Sequence, residues 1–147
     1  MPVATPINPE RRQQSYELIA KLQKERQEVL SLYSKFTELK PFSANDALKN
    51  LVTQFSQILV DYVSLGHFGV YERVLSGNER RTRVLSVANE IYTEFSAATD
   101  SAISFNDKYE NVEKIEFFED LEQDLSVLGE SLAKRIDLED RLCAVMK

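Results

Sequence analysis

No proline follows Pro41, so the remaining 106 residues lack the one side chain that breaks a helix by removing a donor and clashing with the preceding turn. The prolines sit at positions 2, 6, 9 and 41. Residues 1–9 therefore read as a flexible N-terminal arm and residues 10–147 as a single helical-bundle domain. Breaks within it are expected at Lys40-Pro41-Phe42-Ser43, at Ser76-Gly77-Asn78 and at the polar run Asn106 to Asn111. Ser43 followed by Asp46 resembles a capping box, and Gly77 with Asn78 suits a helix stop followed by a new start.

Apolar spacing decides between helix and strand, because a packed helix needs a stripe every three or four residues and a strand needs alternation. Helical spacing holds in all four segments. Val84, Ala88, Ile91, Phe95, Ala98, Ala102, Phe105 and Tyr109 step strictly by four and three. A fourth stripe runs through Phe118, Leu121, Leu125, Leu128 and Leu132, is interrupted at Arg135, and resumes at Leu138, Leu142 and Val145. The first is Ile19, Leu22, Val29, Tyr33 and Phe36 with Arg26 inside it; the second is Leu48, Val52, Phe55, Leu59, Tyr62, Gly66 and Val70. Four long helices with short connections predict an all-α, antiparallel up-down-up-down four-helix bundle. The stripes are wider than a coiled-coil seam, which argues against a dimeric coiled coil.

With 147 residues, 43% of them hydrophobic, the chain can bury a core that needs no disulfide, and the lone Cys143 cannot form an internal one. One thiol, no apolar run long enough for a membrane and no secretory pattern at the start predict a cytoplasmic protein. The net charge of −6 lies in one place: residues 1–105 carry twelve acids and twelve bases, residues 106–147 twelve acids and six bases. Arg11-Arg12 and Arg80-Arg81 with Arg83 are too short to form a phosphate-binding stripe, so direct nucleic-acid binding is not expected. An acidic face instead favours a basic partner protein, or simply keeps the surface solvated.

Catalytic and metal patterns fail on geometry. Asp61, Ser64 and His67 recur at intervals of three, but Asp61 and His67 lie about 9 Å apart along a helix axis, too far for the acid to orient the imidazole of a triad. A di-iron bundle needs Glu-x-x-His twice, and the one histidine has Ser64 three residues before it. Gly66-His67-Phe68-Gly69 lacks the Lys-Ser/Thr of a phosphate loop. No cofactor, metal or enzymatic activity is expected.

Two features stand out. Arg26 and Arg135 occupy stripe positions where an aliphatic side chain would pack better. Either they curl to the rim and cover apolar surface with their stems, or they are buried and paired, with Glu139, Glu72 and Glu130 as candidate partners. Gly66 and Gly69 stand in mid-helix, each about 1 kcal/mol less favourable than Ala, which points to a close crossing or a local kink.

The stretch Leu59 to Leu75, LVDYVSLGHFGVYERVL, resembles the LVDYLSAGHF-x-IYE-R-IL stretch of the Rsd/AlgQ family of bacterial anti-sigma regulators. Leu128-Gly129-Glu130-x-Leu132 followed by Arg135-x-x-Leu138-Glu139-Asp140-x-Leu142 is similar to the family's GE-x-L-x-x-R-x-x-LED-x-L segment, and Glu25-Arg26-Gln27 is a third match. The resemblance implies a helical protein that binds the C-terminal, promoter-reading domain (region four) of the housekeeping sigma factor, keeping it from core polymerase and DNA. Asp61 matches the family's sigma-contacting acid. Ser64, Leu65, Phe68 and Glu72 on the same stretch are candidate partner-binding residues. Arg26, Tyr62, His67, Tyr71, Arg135 and Glu139 are candidates for an internal polar network. The protein is expected to be a monomer or weak dimer. A regulator of the AlgQ type, acting through other regulatory proteins, is the second reading, and a helical-bundle enzyme the third.

Overall fold

A computed structural model of the chain describes residues 9–71, 81–111 and 118–146. Four α-helices make up almost all of it: α1 (Pro9–Lys35), α2 (Asp46–Ser64), α3 (Thr82–Tyr109) and α4 (Leu121–Met146). A 3₁₀ turn, Phe36–Leu39, extends α1, and a π-helical segment, Leu65–Tyr71, continues α2. No strand occurs among the described residues.

Side-chain pairings give the direction of each helix. Tyr33 lies against Phe55 and donates to the Leu125 carbonyl, whereas Arg26, one to two turns earlier, meets Glu139 and Asp140. Phe55 packs on Phe105, while Tyr62 reaches Glu139 and Arg135 reaches Thr99. As α1 runs one way, α2 and α4 therefore run back past it, and α3 runs antiparallel to α2 and α4. The topology is up-down-up-down, with each helix packed on the next in sequence.

The stripes are the core. Every member of the third stripe, Val84 through Tyr109, is buried, as are Leu121, Leu125, Leu128, Leu132, Leu138 and Leu142 of α4. Leu48, Val52, Phe55, Leu59 and Tyr62 of α2 and Ile19, Leu22, Val29 and Phe36 of the first segment join them in one contiguous cluster. Tyr33, Phe36, Phe55, Phe105 and Tyr109 concentrate at one end, with Phe36 and Phe105 meeting the Phe55 ring edge-on. Cys143, near the other end of α4, is buried as a small apolar side chain.

Three boundaries differ from the sequence reading. Pro9 opens α1 instead of closing the arm, since a proline at the first helical position gives up only a donor that would have no intrahelical partner. The cap of α2 is Asn45, not a Ser43–Asp46 box: extended at φ −98°, it accepts from the Leu48 N–H at 2.9 Å, and Ser43 Oγ accepts from its amide at 3.0 Å. Helix α3 runs through Asn106 to Tyr109, because Phe105 and Tyr109 keep a buried face that the polar residues between them do not interrupt. The break expected at Ser76-Gly77-Asn78 lies outside the described residues.

Leu125→Ala should reduce stability by about 2 to 5 kcal/mol, and Asn45→Ala by about 1 kcal/mol, with Ser43→Ala costing less than either. Denaturant midpoints of the three variants read this order directly.

Candidate functional site

Further along the bundle from the aromatic cluster, near its middle, lies a polar network to which all four helices contribute. Its centre is Arg135, fully buried, with Glu139 one turn further along α4 and only 2% exposed. Arg135 Nη1 donates to Glu139 Oε1 at 2.6 Å, Nε donates to Thr99 Oγ1 of α3 at 3.3 Å, and Nη2 donates to the Val63 carbonyl of α2 at 3.1 Å. The guanidinium carbon lies 4.9 Å from the Tyr62 ring centroid and 4.6 Å from that of Phe95.

Glu139 is served equally well. The Tyr62 hydroxyl donates across both its oxygens at 2.7 Å, and Arg26 Nη1 of α1 lies 3.7 Å from Oε2. The two arginines thus part company. Arg135 is enclosed, whereas Arg26 keeps 19% of its side chain exposed and donates to the exposed Asp140 at 2.8 Å. Glu130 is exposed and partners neither, and Glu72 lies outside the described residues.

Burial pushes Glu139 above the ordinary carboxylate range, against the pull of Arg135, the Tyr62 hydroxyl and Arg26. Burial likewise raises the Tyr62 phenol, and the neighbouring Glu139 carboxylate adds to it. Tyr62 therefore stays a neutral donor. Burial acts to lower Arg26, but its hydrogen bond to Asp140 and the charges of Asp140 and Glu139 raise it on balance.

Helix α2 changes character beside this network. The Leu65 N–H is shared between the Asp61 and Tyr62 carbonyls, and from Leu65 to Tyr71 the turns are π-helical. Gly66 explains the proximity: a Cβ built there would stand 2.6 Å from Arg135 Nη2. The missing side chain is the space that the guanidinium occupies. Gly69 faces Leu65 and Leu18, where a Cβ would stand 2.9 Å from Leu65 Cδ1. The His67 ring lies parallel to Phe95, 6.3 Å away. Phe68 and Tyr71 belong to the π segment, but their side chains are outside the described residues.

Asp61 is exposed, on the face of α2 turned from the core, with Ser64 and Leu65 half-buried just beyond it. Across the seam on α1 stands Glu25, raised by burial and further by the charges of Asp61 and Glu28, with Lys21 opposing. Sequence reading passed over Glu25 as a site residue, although it precedes Arg26; its place beside Asp61 depends on how α1 and α2 pack. Among the described residues no group of His, Cys, Asp and Glu is placed to hold a metal ion, and no helix is long and apolar enough to cross a membrane.

The comparisons place this bundle among regulators of transcription: the family model described as regulator of RNA polymerase sigma(70) subunit, Rsd/AlgQ, matches residues 6–147. The chain belongs to the Rsd/AlgQ family. It is 33% identical over 123 residues to the regulator of sigma D of Enterobacter sp. (strain 638), covering 82% of this chain and 74% of that protein. It is 31% identical over 132 residues to the regulator of sigma D of Yersinia enterocolitica, covering 87% and 79%. The protein of that name from Yersinia pestis is 32% identical over the same length, 87% and 78% covered. No solved structure matches the chain.

Two outcomes follow from the network. Glu139→Leu should cost about 3 to 5 kcal/mol because it strands a buried guanidinium, whereas Arg135→Met, which leaves Glu139 to Tyr62 and Arg26, should cost less. Chemical denaturation of both variants checks the order.

The second concerns pH. Folded Glu139 binds its proton more tightly than the unfolded group, whose reference value is 4.5. Its contribution to stability is therefore greatest below that value and declines as pH rises toward the folded pKa. Wild-type stability minus that of Glu139→Gln should shrink across this window in a denaturation series begun near pH 4; a difference that grows with pH would show that the donors outweigh burial.

Proposed function

We propose that this protein is a regulator of the housekeeping sigma factor of RNA polymerase, binding its C-terminal promoter-reading domain and so withholding it from core enzyme and DNA. Membership of the Rsd/AlgQ family supports the partner, and the exposed carboxylate of Asp61 supports the site. A domain that reads promoters carries arginines suited to phosphates and base edges. A carboxylate accepts such a guanidinium through charge-assisted, bidentate hydrogen bonds. Asp61 meets that requirement on a regular helix, with Ser64 and Leu65 beside it as a polar and an apolar neighbour.

The contact face extends from Asp61 through Ser64 and Leu65 toward Phe68 and Glu72. Carboxylates there occupy the partner's arginines, so sigma bound in this way has none left for promoter DNA. The regulator acts by binding and catalyses no reaction, as a cytoplasmic monomer or weak dimer, with no contact of its own to nucleic acid.

Asp61→Ala should weaken binding of the purified sigma C-terminal domain by about 2 kcal/mol if the pair is desolvated, with helical signal and melting temperature nearly unchanged. Raising salt should weaken the wild-type complex through slower association. Titration of both proteins at two salt concentrations tests the reading: undiminished binding by the variant removes Asp61 from the interface, and absence of wild-type binding removes the function.

A further inference from the structure

The π-helical segment begins within the proposed contact face, and a buried side chain from another helix is hydrogen-bonded to the backbone at that junction. Arg135 Nη2 donates to the Val63 carbonyl at 3.1 Å, immediately before Ser64 and Leu65. It can do so because residue 66 has no Cβ. Helices depart from the α ladder where a side chain enters it, and a π turn redirects every side chain that follows. Asp61 and Ser64 stand on regular α-helix before the junction, whereas Leu65 is the first residue of the π segment.

We propose that Arg135 is a positioning residue for the partner-binding face: by holding the Val63 carbonyl through the space left by Gly66, it sets where α2 passes into its π segment and hence the direction in which Leu65 is presented relative to Asp61 and Ser64. This rests on the sigma-binding reading above. The guanidinium is suited to the task because its remaining nitrogens are fixed by Glu139 and Thr99 and its faces by Tyr62 and Phe95, so Nη2 is aimed by three helices at once. Lysine at this position would keep the charge beside Glu139 and lose the fork. Alanine at position 66 would keep the ion pair and displace Nη2 from the carbonyl.

The test is a set of titrations against the purified sigma C-terminal domain, with helical signal and melting temperature recorded for each variant. Arg135→Lys and Gly66→Ala should each weaken binding about tenfold, the order expected for one lost hydrogen bond to a charged group. Because both variants remove the same contact, Gly66→Ala should add almost nothing in the Arg135→Lys background. Leu65→Ala should likewise add little to either, whereas Asp61→Ala should weaken every background by the same factor. A role in stability alone would lower melting temperatures without this pattern of coupling.

Wild-type affinity in folded Arg135→Lys, or effects of the two substitutions that simply multiply, would overturn the proposal while leaving the role of Asp61 intact. Loss of the helical signal in both single variants would also overturn it, by assigning the guanidinium to folding alone. Failure of the wild-type protein to bind would overturn the sigma-binding reading and this proposal with it, and is seen before any variant is made.

Discussion

The ion pair of Arg135 and Glu139 sits where neither charge can reach water, and such a pair persists only if almost every donor and acceptor around it is satisfied. Satisfying them takes something from each helix. Arg26 comes from α1, the Tyr62 hydroxyl and Val63 carbonyl from α2, Thr99 from α3, and the pair itself from α4. Apolar packing is non-directional and would tolerate one helix sliding against another by a fraction of a turn. Hydrogen bonds of 2.6 to 3.3 Å with angular requirements would not. The network fixes the axial register of the bundle at this level.

The aromatic end solves the same problem with less charge. Phe55 receives Phe36 and Phe105 edge-on, and Tyr33 crosses from α1 to donate to the Leu125 carbonyl at 2.7 Å. Tyr33 can come so close because residue 129 is glycine and a Cβ there would collide with its hydroxyl. Tyr109 donates to Asp124, which Lys108 also meets at 2.7 Å. At both sites a glycine makes room for a long polar side chain from a neighbouring helix: Gly66 for Arg135 and Gly129 for Tyr33. In each case the backbone freedom lost on ordering a glycine is set against a hydrogen bond that no larger residue would permit.

The helices and their core were legible in the sequence because spacing is a local property: the strict four-and-three stripe of α3 needs no knowledge of its neighbours to be read as one buried face. The polar stripe positions were not. Arg26 and Arg135 both interrupt apolar stripes, and sequence leaves open whether each is buried or curled to the rim. What separates them is tertiary: Arg135 faces a glycine, a threonine and two aromatic rings from other helices, whereas Arg26 has Asp140 at the solvent edge. The π segment was equally hidden. Two glycines signalled a departure from regular helix, but its form depends on an arginine 69 residues further along the chain. The cap at Asn45 was missed for a smaller reason, since Ser43, Asn45 and Asp46 are all competent caps and only the backbone angles select among them.

Charge shows most clearly how linear and spatial readings diverge. By sequence the acidic excess belongs to residues 106–147, and a basic partner would be sought there. In the fold many of those acids already face bases supplied by other elements: Glu122 meets Lys40, Asp120 and Asp124 meet Lys108, and Glu139 and Asp140 meet Arg26. Asp61 lies in a stretch whose charges balance along the chain, yet in space it shares the α1–α2 seam with Glu25, whose carboxyl is raised by burial and by the charges of Asp61 and Glu28. Burial is the largest of these causes, and the nearby Lys21 charge acts in the opposite direction. Carboxylates held near one another repel, and an arriving cation relieves that repulsion in addition to making its own contacts. On the proposed sigma-binding reading, a partner guanidinium reaching Asp61 meets this pair of carboxylates at the seam that the buried network holds in register.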